Sequence, residues 1–251
     1  MNKVITEETP LSEKDCFYMM DRDKEAFTYP LHKHEAMELN FVEHCDGARR
    51  IVGDSIEVLG KYDLVLVGSG LEHTWDQYDC KSHSIHEITI QFPPDLLGEQ
   101  FLAKNQLSSL RALFHNAKRG VAFELDTIME LYSKITSITQ AQPGFYRMLK
   151  LLEILYELSL KENYHLLASR SFSNVKKTPE SVRVRQVEEY IDMHYKKEIR
   201  LKTLSDIAEM TPAAFSRYFR TKTGKTVSDY IIDIRLGHAA RQLVDSTNSV
   251  A

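Results

Sequence analysis

Three histidines and one glutamate have the residue types and the spacing of a site for a divalent transition-metal ion. His32 and His34 are separated by one residue, Glu38 follows four residues after His34, and His73 comes after a glycine-rich stretch. Imidazole nitrogens combined with a carboxylate oxygen suit Zn, Fe, Mn or Ni. The four side chains therefore predict either a metal site or, without an ion, the wall of a pocket that senses a small molecule.

A strand over residues 31–39 would bring these side chains together, because side chains alternate between the two faces of a strand. His32, His34 and Glu38 would then share one face. Trp75 follows His73 by two residues and could stack on a flat or sugar-like ligand. We therefore predict that a small molecule is bound by His32, His34, Glu38, His73 and Trp75. The first four of these residues are also the candidate metal ligands.

Short β-rich runs separated by turn residues extend from about residue 15 to residue 92. The runs are FVEH, RRIVGD, SIEVLG, DLVLVG, EHTWDQ and HSIHEITIQF, with glycine-containing turns between them. Regular spacing of this kind is typical of an all-β barrel or sandwich. Two prolines at 93 and 94 end the section, because proline cannot donate a hydrogen bond to a strand ladder.

The apolar period becomes helical from residue 95 to residue 171. One predicted helix places Leu125, Ile128, Met129, Tyr132 and Ile135 on a single face. The next, FYRMLKLLEILYELSL, has apolar residues on more than one side. Such a helix is buried widely, either against its own barrel or against a second subunit.

Composition and charge indicate a globular chain with two parts. Of the 251 residues 43% are hydrophobic and 27% are charged, which excludes a disordered chain. The residues from Lys176 onward include 14 Lys and Arg and 10 Asp and Glu, which gives a net charge of +4. The preceding residues include 18 Lys and Arg and 26 Asp and Glu, which gives a net charge of −8. An acidic first part and a basic second part favour different partners for the two.

The chain shows no secretory leader and no apolar run long enough to span a bilayer. Its three cysteines, Cys16, Cys45 and Cys80, are far apart and form no CxxC pair, which is typical of reduced thiols. We therefore expect a cytoplasmic protein without a membrane partner.

Two short helices joined by a tight turn are predicted after the polar linker SRSFSNVKKTPES. Thr203, with Asp206 as its partner, is expected to cap the first helix. Thr211 and Pro212 begin the second helix, which Gly224 ends. This pattern predicts a helix-turn-helix unit.

The second helix of this pair has an apolar face and a basic face. Phe215 and Phe219 are four residues apart and point inward, so Ala213, Arg217 and Arg220 lie on the opposite side, with Ser216 beside them. Arginine can bind guanine through two hydrogen bonds and alanine can contact a thymine methyl group. The predicted DNA-binding residues are Ala213, Ser216, Arg217, Arg220 and Lys222. Lys222 lies just beyond the others, where it could contact a phosphate.

The segment IRLKTLSDIAEMTPAAFSRYFRTKTGKTVSDYIIDIRLGHAARQL resembles the first half of the DNA-binding domain of AraC-type transcription regulators. The resemblance implies that Ala213, Ser216 and Arg217 read bases and that Arg220 and Lys222 contact phosphates. In that family a linker helix joins two such units in adjacent major grooves. This sequence departs from the pattern, because it stops after DSTNSVA, and we expect the second unit to be missing from it.

The histidine pattern resembles the two motifs of the cupin barrel, which AraC-type regulators often carry as a sensor domain. His32, His34 and Glu38 match the first motif and His73 matches the second. Gly68 stands where a proline is usual, and Gln77 replaces the usual asparagine. The resemblance implies that the helical middle region serves dimerisation and coupling.

These patterns together predict an α+β, multidomain chain. Residues 1–95 form a cupin-like ligand-sensing barrel, residues 96–174 a helical dimerisation and coupling region, and residues 175–251 an all-α helix-turn-helix domain. The predicted function is a dimeric, ligand-responsive DNA-binding transcription regulator whose partners are DNA, a small-molecule effector in the barrel and a second copy of the chain.

Two other functions stay open at the level of sequence. The first is a metal-dependent cupin enzyme with a tethered helical domain, and the second is an interaction module without DNA binding. We expect no enzyme and no catalytic residues, because the chain shows no nucleophile elbow and no phosphate-binding glycine loop.

Overall fold

The computed structural model describes residues 4–169, 181–223 and 225–245. These residues divide into one unit within 2–168 and another within 169–251. Most of the predicted linker (170–180), the predicted helix end at Gly224 and residues 246–251 lie outside the described residues. The predicted α+β class is confirmed, and none of the helices described has both the length and the apolar character needed to cross a membrane.

Two sheets form the frame of the first unit. In chain order its strands are β1 (Ile5–Thr6), β2 (Tyr18–Lys24), β3 (His32–Lys33), β4 (Met37–Glu43), β5 (Arg49–Val52), β6 (Ser55–Val58), β7 (Tyr62–Val67), β8 (His73–Asp76), β9 (Ile85–Phe92), β10 (Val121–Phe123) and β11 (Tyr164–Leu166). One sheet has the order β1-β3-β8-β5-β6, and the other has the order β11-β10-β7-β4-β9-β2. β1 and β3 pair in parallel, and the other described pairs are antiparallel.

Each predicted β-rich run between residues 41 and 92 overlaps one strand from β4 to β9, and β9 ends at Phe92 directly before the two prolines. Residues 96–174 are expected to form a helical region, and the structure adds two strands that this expectation does not include, since β10 and β11 extend the six-stranded sheet from within it. Both strands have three residues, which is too short for a period-two pattern to be recognised in the sequence.

Helices cover one face of the six-stranded sheet. They are α1 (Glu99–Leu102), a 3-10 helix (Asn105–Leu107), α2 (Ser108–Ala117), α3 (Leu125–Ser137) and α4 (Phe145–Ser159). Leu39, Phe41 and Ile90 of the sheet share one apolar core with Leu113 of α2 and Leu155 of α4. The helices of the middle region therefore belong to the same packed unit as the strands before them.

The buried face of α3 differs from the predicted one. Ile128, Leu131 and Ile135 are buried, whereas Leu125 and Met129 are 58% and 49% exposed. The buried residues follow the spacing i, i+3, i+7 of one helix stripe, and Leu131, which the predicted face omitted, lies at its centre.

The other face of the six-stranded sheet is polar although it is buried. Side chains alternate along β4 and β9, so that the neighbours of Leu39 and Ile90 point away from the helices. Glu38 is opposite Gln91 and Asn40 is opposite Thr89 in the ladder between these strands. All four are buried, and this polar face lines the space in front of the second sheet.

Gly68 lies at a close approach between β7 and the end of α2. Its N–H donates to the carbonyl oxygen of Ala117 at 2.7 Å, and an added Cβ would lie 2.5 Å from that oxygen. A proline at this position could not donate the bond. The contact accounts for glycine where the cupin pattern has proline.

The second unit contains α5 (Ser181–His194), α6 (Leu201–Ile207), α7 (Pro212–Thr223) and α8 (Val227–Asp245). Its apolar core includes Val187, Leu204, Phe215, Phe219 and Ile234, which are fully or almost fully buried. These residues come from all four helices, so the helices stabilise one another across a single small core.

The predicted capping role of Thr203 is wrong. Helix α6 begins at Leu201 with Arg200 as its N-cap residue, which places Thr203 inside the first turn. Asp206 instead forms an ion pair with Lys202, four residues earlier on the same helix, at 3.1 Å.

A histidine on β9 joins three elements of the first unit. His86 contacts Asp21 of β2 at 2.8 Å and Glu43 of β4 at 2.7 Å. Glu43 also accepts a hydrogen bond of 2.9 Å from the hydroxyl of Tyr132 on α3. Burial acts to lower the pKa of His86, but the two carboxylates outweigh it and raise that pKa above 6.5.

We predict that His86→Gln lowers the stability of the first unit more at pH 6 than at pH 9. The raised pKa means that folding favours the protonated imidazole, so this contribution is complete below the unfolded pKa and is lost as the pH rises through the folded one. The difference should be up to about 1 kcal/mol, because the ion pair is partly exposed. Urea unfolding followed by the fluorescence of the single tryptophan, Trp75, measures it.

The exposed His83 provides the matched control. His83→Gln should leave the dependence of unfolding on pH unchanged. An equal loss of stability for His86→Gln at both pH values would contradict the assigned role of the ion pair.

Candidate functional site

The structure brings the four predicted metal ligands together. His32, His34, Glu38 and His73 each offer one ligand atom, and these atoms all lie within 4.8 Å of one another. The four side chains are buried, and His73 is fully inaccessible to solvent. Within the described part of the chain this is the single cluster of histidine, cysteine and acidic side chains with such spacing.

The elements that position the cluster differ from the predicted single strand. His32 lies on β3 in one sheet and Glu38 lies on β4 in the other, while residues 34–36 belong to neither strand. His73 begins β8 and is the direct ladder partner of His32. The N–H of Gly70 donates to the carbonyl oxygen of His34 at 2.8 Å, which holds the glycine-rich turn against the connecting segment.

Backbone carbonyl oxygens orient all three imidazole rings. The Nδ1 atoms of His32, His34 and His73 lie 2.9, 2.9 and 2.8 Å from the carbonyl oxygens of Pro30, Ala36 and Leu71. A carbonyl oxygen only accepts, so each Nδ1 carries a proton, and Nε2 is the nitrogen that can bind a metal ion.

The electrostatics of the cluster centre on Glu38. Its Oε2 lies 3.1 Å from Nε2 of His34, and its Oε1 lies 3.7 Å from Nε2 of His73. Burial acts to raise the pKa of Glu38, but the two imidazoles hold it well below its usual range. Burial acts to lower the pKa of His34, but the same contact with Glu38 outweighs it and raises that pKa.

The other two histidines differ from His34 in their surroundings. Burial, together with the neighbouring His73, lowers the pKa of His32 to about 4. Nε2 of His73 is buried and has no hydrogen-bond partner among the described residues. Buried nitrogen atoms without partners are costly unless an ion or ligand uses them, so the donor set fits a divalent metal ion.

A cavity adjoins the cluster between the two sheets. Tyr29, His32, Trp75 and Glu38 line one part of it, and Asn40 and Glu87 line another. Trp75 is 6% exposed, and its indole N–H donates to Asp63 at 2.7 Å. The structure therefore places Trp75 beside the histidines as predicted, where its ring can contact a bound molecule.

Sequence reasoning missed the charged end of this cavity. Arg22 and Lys24 of β2 each lie 2.7 Å from the same oxygen of Glu87, which is almost fully buried. Burial lowers the pKa of Lys24 even though Glu87 acts in the opposite direction. The sequence contained a signal for this site, because polar residues occupy alternate positions of β9 at Glu87, Thr89 and Gln91.

The predicted DNA-binding residues lie on α7 in the second unit. Phe215 and Phe219 are fully buried, whereas Ala213, Arg217 and Arg220 are exposed on the opposite side. Ser216 is half-buried, and its hydroxyl donates to the carbonyl oxygen of Pro212 at 2.9 Å. The side chain of Lys222 lies outside the described residues.

A four-residue turn separates α6 from α7. Glu209 in this turn adopts a positive φ of 54°, a left-handed conformation of the kind found where helices end. The side-chain oxygen of Thr211 accepts a hydrogen bond of 3.4 Å from the N–H of Ala214, as expected for a residue that caps the next helix. The turn therefore begins and ends with local interactions.

The chain is similar to helix-turn-helix transcription regulators. It is 34% identical over 61 residues to the uncharacterised HTH-type transcriptional regulator YobQ of Bacillus subtilis, a match to 24% of this chain and 25% of YobQ. It is 35% identical over 72 residues to the bifunctional transcriptional activator/DNA repair enzyme AdaA of the same organism, a match to 29% of this chain and 34% of AdaA. The predicted resemblance to such regulators is confirmed over these segments, which span a quarter to a third of the curated relatives.

Other comparisons concern the whole chain. No protein-family model matches it. A crystal structure of a ToxT variant from Vibrio cholerae in its apo form aligns with 89% of this chain and 100% of its own, at 11% identity and a TM-score of 0.39. Wild-type ToxT bound to an unsaturated fatty acid aligns with 95% of this chain and 85% of its own, at 12% identity and a TM-score of 0.35.

We predict that Phe215→Ala destabilises the second unit by about 3–5 kcal/mol, the usual cost of removing a fully buried phenylalanine ring. Hydrogen exchange of the α7 amides, measured by mass spectrometry, should accelerate at least about 100-fold, because their protection depends on the stability of this unit. Arg217→Ala is the control and should change the stability by less than about 0.5 kcal/mol. Equal exchange rates in the two variants would disprove the assignment of the buried face.

Proposed function

We propose that this protein is a ligand-responsive DNA-binding transcription regulator. The observation that supports this function most directly is the pair α6 and α7, joined by a short turn and anchored by Phe215 and Phe219. A helix held in this way can enter the major groove with its free side. Similarity to regulators of the helix-turn-helix type supports the same function.

The exposed side of α7 provides the proposed contacts with DNA. Ala213, Ser216 and Arg217 reach base edges, where Arg217 donates two hydrogen bonds to one guanine. Arg220 and Lys222 contact phosphates, which contributes affinity without sequence preference. In this assignment the second unit is a helix-turn-helix domain, as the sequence predicts.

The first unit is the proposed sensor, a cupin-like fold that holds a small-molecule effector. His32, His34, Glu38 and His73 would hold a divalent ion such as Zn, Fe, Mn or Ni, which offers Lewis-acid coordination to oxygen atoms of the effector. Trp75 and the polar residues of the cavity would contact the rest of the molecule. An effector that binds two states of the protein with different affinity shifts the population between them.

The proposed assembly is a homodimer that pairs through α4. Along this helix Phe145, Tyr146, Leu149 and Tyr156 are 72%, 64%, 43% and 40% exposed. They follow one side of the helix at spacings of three, four and seven residues. A second copy of the same helix is the partner that this self-complementary stripe fits, and pairing would set the spacing of two DNA half-sites.

The alternative function, a metal-dependent cupin enzyme, uses the same histidines. It gives no role to the α6–α7 pair or to the exposed arginines of α7, and we therefore favour the regulator without catalytic residues. AdaA is described as both a transcriptional activator and a DNA repair enzyme, so turnover deserves a direct assay. We place the protein in the cytoplasm, where a regulator meets DNA.

We predict that Arg217→Ala relaxes sequence preference by about 1–3 kcal/mol at one base position. Preferred sites are first selected from a random duplex library with the unmodified chain. Fluorescence anisotropy then measures the affinity of both proteins for the selected site and for each single-base change. Arg111→Ala, which removes an exposed arginine from α2 in the first unit, is the charge-matched control.

Salt dependence tests DNA binding itself. The unmodified chain should lose affinity as salt rises, because phosphate contacts release counterions. Absence of such binding in the unmodified chain would overturn the regulator, and an unchanged base preference in Arg217→Ala would overturn the role of that residue.

We predict that Leu149→Glu raises the dissociation constant of the dimer at least about tenfold, a cost of about 1.4 kcal/mol. Two carboxylates would be brought into an apolar contact, where they are poorly solvated. Sedimentation velocity over a concentration series measures the equilibrium. Val58→Glu changes another exposed apolar residue, 60% accessible on β6, and should leave the dimer intact; a monomeric unmodified chain would contradict the assembly.

A further inference from the structure

A second acidic side chain, in addition to Glu38, approaches the histidine cluster from the N-terminal strand. β1 pairs in parallel with β3, with Ile5 opposite His32. The N–H of Glu7 donates to the carbonyl oxygen of Lys33 at 2.9 Å, which continues the ladder by one residue. Backbone pairing with the strand that carries His32 therefore positions Glu7 beside the cluster.

The carboxylate of Glu7 lies within reach of an ion held by the histidines. Its Oε2 is 3.7 Å from Nε2 of His32 and 3.9 Å from Nε2 of His34. Ligand atoms of one transition-metal ion lie about 2.0–2.2 Å from it, so two of them are at most about 4.4 Å apart. Both distances satisfy this limit, as does the 3.7 Å between Glu38 and His73, although Glu7 lies outside the set of four side chains whose ligand atoms are all within 4.8 Å of one another.

The nitrogen of His32 that faces Glu7 is the one that can bind an ion. The Nδ1 atom of His32 bonds to the carbonyl oxygen of Pro30 at 2.9 Å, which leaves Nε2 directed toward Oε2 of Glu7. A cation between these two atoms would contact both of them.

Neighbouring side chains hold the carboxylate in a suitable orientation. The hydroxyl of Tyr29 donates to Oε1 of Glu7 at 3.1 Å, which leaves Oε2 directed toward the histidines. The amide of Gln91 lies 3.4 Å from Oε2 of Glu7 and 3.1 Å from Oε2 of Glu38. One amide thus links the two carboxylates, as the outer contacts of metal ligands commonly do.

Charge balance favours the same arrangement. A divalent ion bound by three neutral imidazoles and Glu38 retains one positive charge in a buried position. Uncompensated charge is costly away from water, and the carboxylate of Glu7 would neutralise it.

The geometry points to Glu7 as a fifth protein ligand of a divalent transition-metal ion bound by His32, His34, Glu38 and His73. This inference rests on the metal site within the proposed sensor. It couples the ion to the N-terminal strand, because the residue that completes the coordination is held by the pairing of β1 with β3. The ion is then held mainly by the protein, which suits a site that binds an effector more than one that turns over a substrate.

Cobalt(II) alone is a direct probe of this coordination. The full chain is stripped of metal, and Co²⁺ is titrated by calorimetry and by visible absorption, whose bands depend on the number and type of ligands. Glu7→Gln should weaken Co²⁺ binding about 10–100-fold and alter the absorption bands. Glu7→Asp keeps the carboxylate and should bind with intermediate affinity.

Glu8 provides the matched control, since it is the adjacent glutamate and is exposed. Glu8→Gln should bind Co²⁺ as the unmodified chain does, and His34→Ala should lose most of the affinity. Circular dichroism of each metal-free variant checks that the fold is retained, and Glu7→Asp keeps the test decisive if Glu7→Gln unfolds.

Two results would overturn the inference, and they are distinguishable. If Glu7→Gln binds Co²⁺ with unchanged affinity and spectrum while His34→Ala does not, Glu7 is no ligand and the four-residue metal site stands. If the unmodified chain binds no Co²⁺, both the metal site and the role of Glu7 fail. Neither result bears on DNA binding, which the Arg217 experiment tests separately.

Discussion

The first unit depends on one constraint, which is that both faces of the six-stranded sheet are buried. One face is apolar and packs against helices, and the other face is polar. Leu39, Phe41 and Ile90 pack against helices, and this apolar core stabilises the sheet. The alternate residues are thereby free to be polar. Glu38 and Gln91 are buried on the opposite face, where hydrogen bonds and neighbouring imidazoles compensate for their lost hydration.

The histidine cluster follows from this frame. Its rings are fixed by backbone carbonyl oxygens, so that their Nε2 atoms meet before any ion or ligand arrives. Such preorganisation reduces the entropy lost on binding. One sheet supplies Glu38 and the other supplies His32 and His73, so the cluster lies between the two sheets.

In the second unit a buried face and an exposed face are combined on a single helix, α7. Phe215 and Phe219 are fully buried and contact each other, and the contact of Phe219 with Tyr230 of α8 extends the packing to the last helix described. Because the apolar side of α7 packs against the core, its arginines are exposed on the other side. The face of α7 that stabilises the unit and the face proposed to recognise DNA are thus opposite sides of one short helix.

The sequence by itself determined the features that depend on local spacing. These are the strands between residues 37 and 92, the inward phenylalanines of α7, its exposed arginines, and the identity of the four clustered side chains. Tertiary structure alone decided the contacts between distant segments. His32 and Glu38 lie on different sheets rather than on one strand, β10 and β11 are too short to show a period, and Glu7 reaches the cluster only because β1 pairs with β3. Side-chain periodicity is a property of one segment, whereas the pairing of strands depends on the free energy of the whole packed unit.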